Sequence, residues 1–203
     1  GDVRALGKAL SVIEDGTPEL SELLSGLPDS GSALLIGVTG PPGVGKSTTT
    51  GALISEYRSK GLRVAVLAVD PSSPVTGGAL LGDRIRMQEH ALDEGVFIRS
   101  MSSRGQLGGL SSATQAAAKV LDAVGFDIII VETVGVGQIE IDVIEAVDTV
   151  IVTLVPESGD DIQMMKSGLI EIADLYVINK SDRDGSDNLY ASLNKFLQFN
   201  KDN

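Results

Sequence analysis

The run Gly40-Pro41-Pro42-Gly43-Val44-Gly45-Lys46-Ser47 sits between a short apolar stretch and a segment of helix-forming residues. Strand, glycine-rich loop, then helix is the order that a phosphate-binding loop requires. Glycines let backbone N–H groups converge on phosphate oxygens, and the helix start adds the positive end of its dipole. Gly40 through Thr48 thus form the expected nucleotide cradle. Lys46 is expected to pair with the β- and γ-phosphates and the Ser47 hydroxyl to ligate Mg²⁺. Further along, the apolar run Asp127–Val131 ends in Glu132-Thr133-Val134-Gly135. A carboxylate at the end of a buried strand beside the loop is where a water-bridged Mg²⁺ contact is needed, and Gly135 can offer its N–H to the γ-phosphate. Asp70 closes another strand, and Asp83 sits in Gly82-Asp83-Arg84. Facing one crevice, these two carboxylates can hold Mg²⁺ through waters or order an attacking water; the other reading of each is a local turn cap.

Asn179-Lys180-Ser181-Asp182 follows a late apolar run and resembles the base-reading element of GTPases. An aspartate there accepts from both the ring N–H and the exocyclic amino group of guanine, a pair that adenine does not present at that edge. Asn179 and Lys180 would brace the loop and cover the base. Most GTPases carry Asp where this chain has Glu132, a departure that points to a subclass. Ras-like enzymes also place a water-orienting Gln directly after the glycine matching Gly135, whereas here Val136 follows, and Val cannot polarise water. Hydrolysis by this chain is therefore expected to be slow, with the catalytic work falling to Asp83, Gln138, Lys166 or a partner.

These residues need a scaffold that brings several strand ends together. Short β-branched or apolar runs alternate with helical segments, which means βαβ units and a mainly parallel sheet. Strands are expected near Leu34–Val38, Arg63–Val69, Val96–Arg99, Ile128–Val131, Thr149–Leu154 and Leu175–Ile178. Helices are expected over Lys46–Lys60, Ala79–Leu92, Ser112–Val124, Ile139–Ala146, Ile162–Ile172 and Asp187–Phe199. Before them, Val3, Leu6, Leu10 and Ile13 recur at helical spacing, then Gly16-Thr17-Pro18 breaks the pattern ahead of Leu20, Leu23 and Leu24. The fold class is α/β of the P-loop type, with a mainly parallel sheet flanked by helices and short N-terminal helices. Residues 1–30 read as an N-terminal helical segment and 31–203 as the nucleotide-binding domain.

Composition narrows the chemistry. With 28 acidic against 16 basic residues in 203, the net charge is −12, which opposes binding to nucleic acid or to an anionic membrane surface. There is no cysteine and one histidine, His90, so disulfide frameworks, thiolate zinc sites and Cys-His hydrolases are excluded. Any metal must be held by oxygen. No apolar stretch approaches the roughly 18 residues of a membrane span, and no basic, apolar signal segment opens the chain, so a cytoplasmic location is expected. The chain begins at Gly1 rather than Met, which suggests a fragment.

Three longer strings, DPSSPVTGGALLGDRIRM from Asp70, SSRGQLGGLSSAT from Ser102 and ETVGVGQIEID from Glu132, resemble the GTPases of the MeaB/MMAA type, also labelled ArgK or LAO/AO transport proteins. The resemblance spans about Leu34 to Asp182. It implies a SIMIBI-class P-loop GTPase that binds GTP/GDP and Mg²⁺. As its role it implies a chaperone in the assembly, protection or reactivation of an adenosylcobalamin-dependent acyl-CoA mutase such as methylmalonyl-CoA mutase. Where the family reads Gln-Ser-Glu, this chain has Gln138-Ile139-Glu140. The family also implies a homodimer, built on a helical extension past the NKxD element, whereas this chain ends at Asn203. The segment Gly159-Asp160-Asp161 to Lys166 resembles a mobile family element that behaves as a further switch; it reads equally as the start of a helix. Two alternatives stand beside this reading. One is a nucleotide-sensing domain of a fused mutase with incidental hydrolysis. The other is a metallochaperone-type GTPase, which would call for clustered Cys or His ligands that this chain lacks.

Overall fold

The computed structural model describes residues 3–28, 31–70, 90, 92–102, 109–133, 142, 144, 147–159 and 172–201. Two helices lead, α1 (Val3–Asp15) and α2 (Glu19–Ser25), followed by β1 (Leu34–Thr39), α3 (Lys46–Ser59), β2 (Val64–Asp70) and β3 (Val96–Ser102). Then come α4 (Gly109–Ala123), β4 (Ile128–Thr133), β5 (Thr149–Leu154), a 3₁₀ turn (Pro156–Gly159), β6 (Leu175–Ile178) and α5 (Ser186–Lys201). The strands form one sheet in the order β3-β2-β4-β1-β5-β6, and every pairing is parallel. From β1 the chain moves outward on one side and returns through β4, then fills the other side with β5 and β6. Such a reversal opens a crevice at the carboxyl ends of the central strands.

Both faces of the sheet are covered, which is why the central strands are apolar nearly throughout. On one face Ile36, Val38, Val66, Ile130 and Ile151 pack with Ile54 of α3. On the other, Leu67, Val69, Ile129 and Val131 meet Ala117 and Leu121 of α4 together with Leu6, Leu10 and Ile13 of α1. Leu10 and Ile13 are fully buried, so α1 belongs to this core. Beyond it, Val150, Val152 and Leu154 pack with Leu189 and Leu193 of α5.

All six expected strands form, and four run past their expected ends into polar residues. Thr39, Asp70, Ser100 to Ser102, and Glu132 with Thr133 continue their strands. Apolar runs stop where solvent-facing chemistry starts, but backbone pairing does not, as the register Val38↔Glu132 and Asp70↔Ser102 shows. Helix α4 starts at Gly109 rather than Ser112. Its serines do not mark the boundary, because the Ser111 hydroxyl donates to the Asp142 carbonyl at 3.0 Å from within the first turn. The helices expected over 79–92, 139–146 and 162–172 fall largely outside the described residues.

Candidate functional site

The site is built at the top of β1, where the chain must leave the sheet without blocking its own crevice. Gly40 has φ +143°, and a Cβ on it would lie 2.2 Å from the Thr153 carbonyl oxygen of β5, so only glycine fits this close approach. The loop then closes onto α3 through Gly45, at φ +95°, whose carbonyl accepts from the N–H groups of Thr48 and Thr49, each at 3.0 Å. Those bonds complete the first helical turn and leave the helix N-terminus facing the crevice.

Lys46, the first residue of α3, is 7% exposed, and its Nζ donates to the carbonyl oxygens of Gly40 at 2.7 Å and Pro41 at 3.0 Å. The ammonium is thereby drawn back across the loop. Alternation along β4 turns Glu132 toward α3, because Ile128 and Ile130 on the same face pack with Ile54. There the buried carboxylate accepts from two hydroxyls, Ser47 Oγ to Oε1 at 2.7 Å and Thr50 Oγ1 to Oε2 at 2.6 Å. Ser47 spends its proton on Glu132, so its oxygen lone pairs remain for a cation. On the opposite face, the Thr133 hydroxyl donates to Thr39 Oγ1 at 2.9 Å and ties the ends of β4 and β1 together.

An all-oxygen donor set of hydroxyl and carboxylate suits a hard divalent cation. Among the described residues no group of three or more Asp, Glu, His or Cys converges. The Ser47 hydroxyl and the Glu132 carboxylate suit Mg²⁺, which keeps several waters and takes further oxygens from substrate phosphates.

The second expected element meets the first directly. Asn179 Nδ2 donates to the Val44 carbonyl at 2.8 Å, and Lys180 Nζ donates to the Gly43 carbonyl at 2.9 Å. A Cβ on Gly45 would lie 2.1 Å from that same Asn179 nitrogen, so the glycine makes room for the brace. Asp182 lies on the exposed turn that follows.

The structure thus brings together Gly40, Pro41, Gly43, Val44, Gly45, Lys46, Ser47, Glu132, Asn179 and Lys180. Asp70 ends β2, at the same edge of the sheet as Thr133. Asp83, Gly135, Gln138 and Lys166 lie outside the described residues. Sequence reasoning missed Thr50. Its signal is the spacing: three residues after Ser47 places it one turn along the same helix face, beneath the same carboxylate.

Comparison with known proteins agrees with this geometry. The family described as methylmalonyl-CoA mutase-associated GTPase MeaB matches residues 6–202. A putative GTPase of Pyrococcus abyssi is 54% identical over all of this chain and 63% of its own length. The GTPase ArgK of Escherichia coli is 45% identical over 93% of this chain and 59% of its own. The chain thus spans about three fifths of these relatives' length. A crystal structure of an LAO/AO transport system kinase superposes with a TM-score of 0.67 at 36% identity, covering 92% of this chain and 55% of that one. Its sheet, its phosphate loop and this match over nearly its whole length place the chain in the MeaB family of SIMIBI-class P-loop GTPases.

Proposed function

We propose that this chain binds GTP with Mg²⁺, hydrolyses it slowly to GDP and phosphate, and acts as a nucleotide-dependent chaperone of an adenosylcobalamin-dependent acyl-CoA mutase. The observation that carries the nucleotide part is the buried cluster of Lys46, Ser47 and Glu132 at the head of α3, braced by Asn179 and Lys180. The family description and the name of the mouse relative, a methylmalonic aciduria type A homologue 47% identical over 73% of this chain and 36% of its own length, support the mutase part.

In this reading the N–H groups of Gly43 to Thr48 bind the phosphates. Lys46 moves from the loop carbonyls onto the β- and γ-phosphate oxygens, where its charge offsets the charge that develops as the terminal P–O bond breaks. Ser47 and Glu132 would hold Mg²⁺, which when bound would neutralise phosphate charge. Glu132 keeps Ser47 in its acceptor orientation, and Thr50 keeps Glu132 in place. Asp182 reads guanine, and Asp70, Asp83, Gly135, Gln138 and Lys166 complete the γ-phosphate side. Water attacks the γ-phosphorus, its proton passes to solvent or to one of these groups, and GDP leaves. A mutase would sense the loops ordered by that phosphate, and a homodimer is a further expected assembly.

Phosphate release from GTP and from ATP tests the catalytic reading in the chain alone. Titration of GDP and a non-hydrolysable GTP analogue, with and without methylmalonyl-CoA mutase, tests the partner. Coupling of about 1–3 kcal/mol between mutase and nucleotide is expected. Identical nucleotide affinities with the mutase shown to bind would remove the switch and leave the GTPase.

A further inference from the structure

The loop from Asn179 to Gly185 is held from two sides. Upstream, Asn179 and Lys180 are pinned to the phosphate loop. Downstream, the Arg183 N–H donates to the Lys180 carbonyl at 3.0 Å, closing a four-residue turn that carries Asp182 as its third residue. Lys180 opens that turn at φ +54°, and it is the sole non-glycine residue in the left-handed region among those described. A lysine does not settle there by its own preference, so surrounding contacts must hold it.

One such contact reaches outside the loop. Arg183 Nη1 donates to Glu157 Oε1 at 2.6 Å, and Glu157 sits in the Pro156–Gly159 turn that follows β5. The same turn lies against the chain as it leaves the loop, where a Cβ on Gly185 would be 3.7 Å from Pro156 Cβ. The Arg183 hydrogen bond, with a backbone hydrogen bond at Glu157 itself, holds the Glu157 carboxyl below the usual carboxylate range.

We propose that Glu157 is a positioning residue for guanine recognition: through Arg183 it fixes the turn that presents Asp182. The inference rests on the reading of Asn179–Asp182 as the base loop. Two-point acceptance of the guanine edge needs both Asp182 oxygens near the plane of the base, and a turn free to swing would lose one of the two contacts. Arg183 and Glu157 are 49% and 54% exposed. A pair so solvated adds little to global stability, which leaves local ordering of the turn as its effect.

The test is a double-mutant cycle on the full chain with Glu157→Gln, Arg183→Gln and both together, titrated calorimetrically with GDP and ADP in Mg²⁺. Each single variant is expected to weaken GDP by about two- to five-fold, the range of an exposed ion pair. ADP affinity and the thermal midpoint are expected to stay put, and the double variant to be no worse than either single. Unchanged GDP affinity, equal losses for GDP and ADP, or additive losses in the double variant would each overturn the proposal while the wild type still prefers GDP. A wild type that binds GDP and ADP equally would overturn the base-loop reading itself, and the inference with it.

Discussion

In the proposed site Lys46 and Glu132 would divide the work at the head of α3, Lys46 supplying charge to phosphate and Glu132 orienting the Ser47 hydroxyl that donates to it. Lys46→Ala is expected to abolish GTP hydrolysis, since nothing else in the loop brings a cation to the phosphates; normal phosphate release by this variant would place the site elsewhere. Thr50→Val removes one of the two hydroxyls that Glu132 accepts from, in a site where Thr50 is fully buried. It is expected to lower unfolding free energy by about 1–3 kcal/mol in urea titration and to reduce turnover together with it. Lys46 and Ser47 were legible because the loop motif names them, and Glu132 because it ends a buried strand. Thr50 was not legible, because a threonine inside a helix announces no chemistry until the facing strand is known.

Strands and loops set the positions of these side chains more tightly than the motif suggests. Gly40 passes so close to the Thr153 carbonyl of β5 that Gly40→Ala must shift one strand end or the loop, and both lysine contacts to the loop carbonyls lie there. Nucleotide affinity of this variant is expected to fall at least ~10-fold, read by calorimetry, with the sheet retained. The existence of the six strands and the apolar stripe of α1 were readable from the sequence pattern, whereas the strand ends were not, because pairing continues into polar residues such as Thr39 and Glu132. Nor did spacing reveal how α3 is tied to β3. Arg58 donates to Asp93 at 2.8 and 2.9 Å just before that strand. Hydrogen bonds from Arg58 and from the Gly95 N–H hold the Asp93 carboxyl below its ordinary range. Its folded pKa being the lower one, this contribution is present above the unfolded value and is lost as pH falls through the folded one. Asp93→Asn is therefore expected to flatten the acid limb of stability against pH, measured by urea unfolding between about pH 3 and 7. An acid limb identical to that of the wild type would show that the tie carries no such linkage.

At the scale of the whole molecule, a parallel sheet gathers the ends of β1, β4 and β5 along one edge, and the phosphate loop and the proposed base loop meet there through Asn179 and Lys180. Two segments far apart in sequence become one site because β1 and β6 flank β5 in the sheet. That contact was legible in outline from the order of the two motifs, but the carbonyls that accept it were not, since backbone acceptors leave no mark in a sequence. Among the described residues no helix is long and apolar enough to cross a membrane. If Asp182 reads guanine, Asp182→Asn should move preference from guanine toward xanthine nucleotides, its amide donating where the carboxylate accepted. The most direct test of the central claim is calorimetric titration of the chain with GDP and with ADP in Mg²⁺. GDP is expected to bind tighter by roughly 100-fold or more, the worth of two polar contacts that adenine does not make, and equal affinities for the two nucleotides would contradict guanine recognition by Asp182.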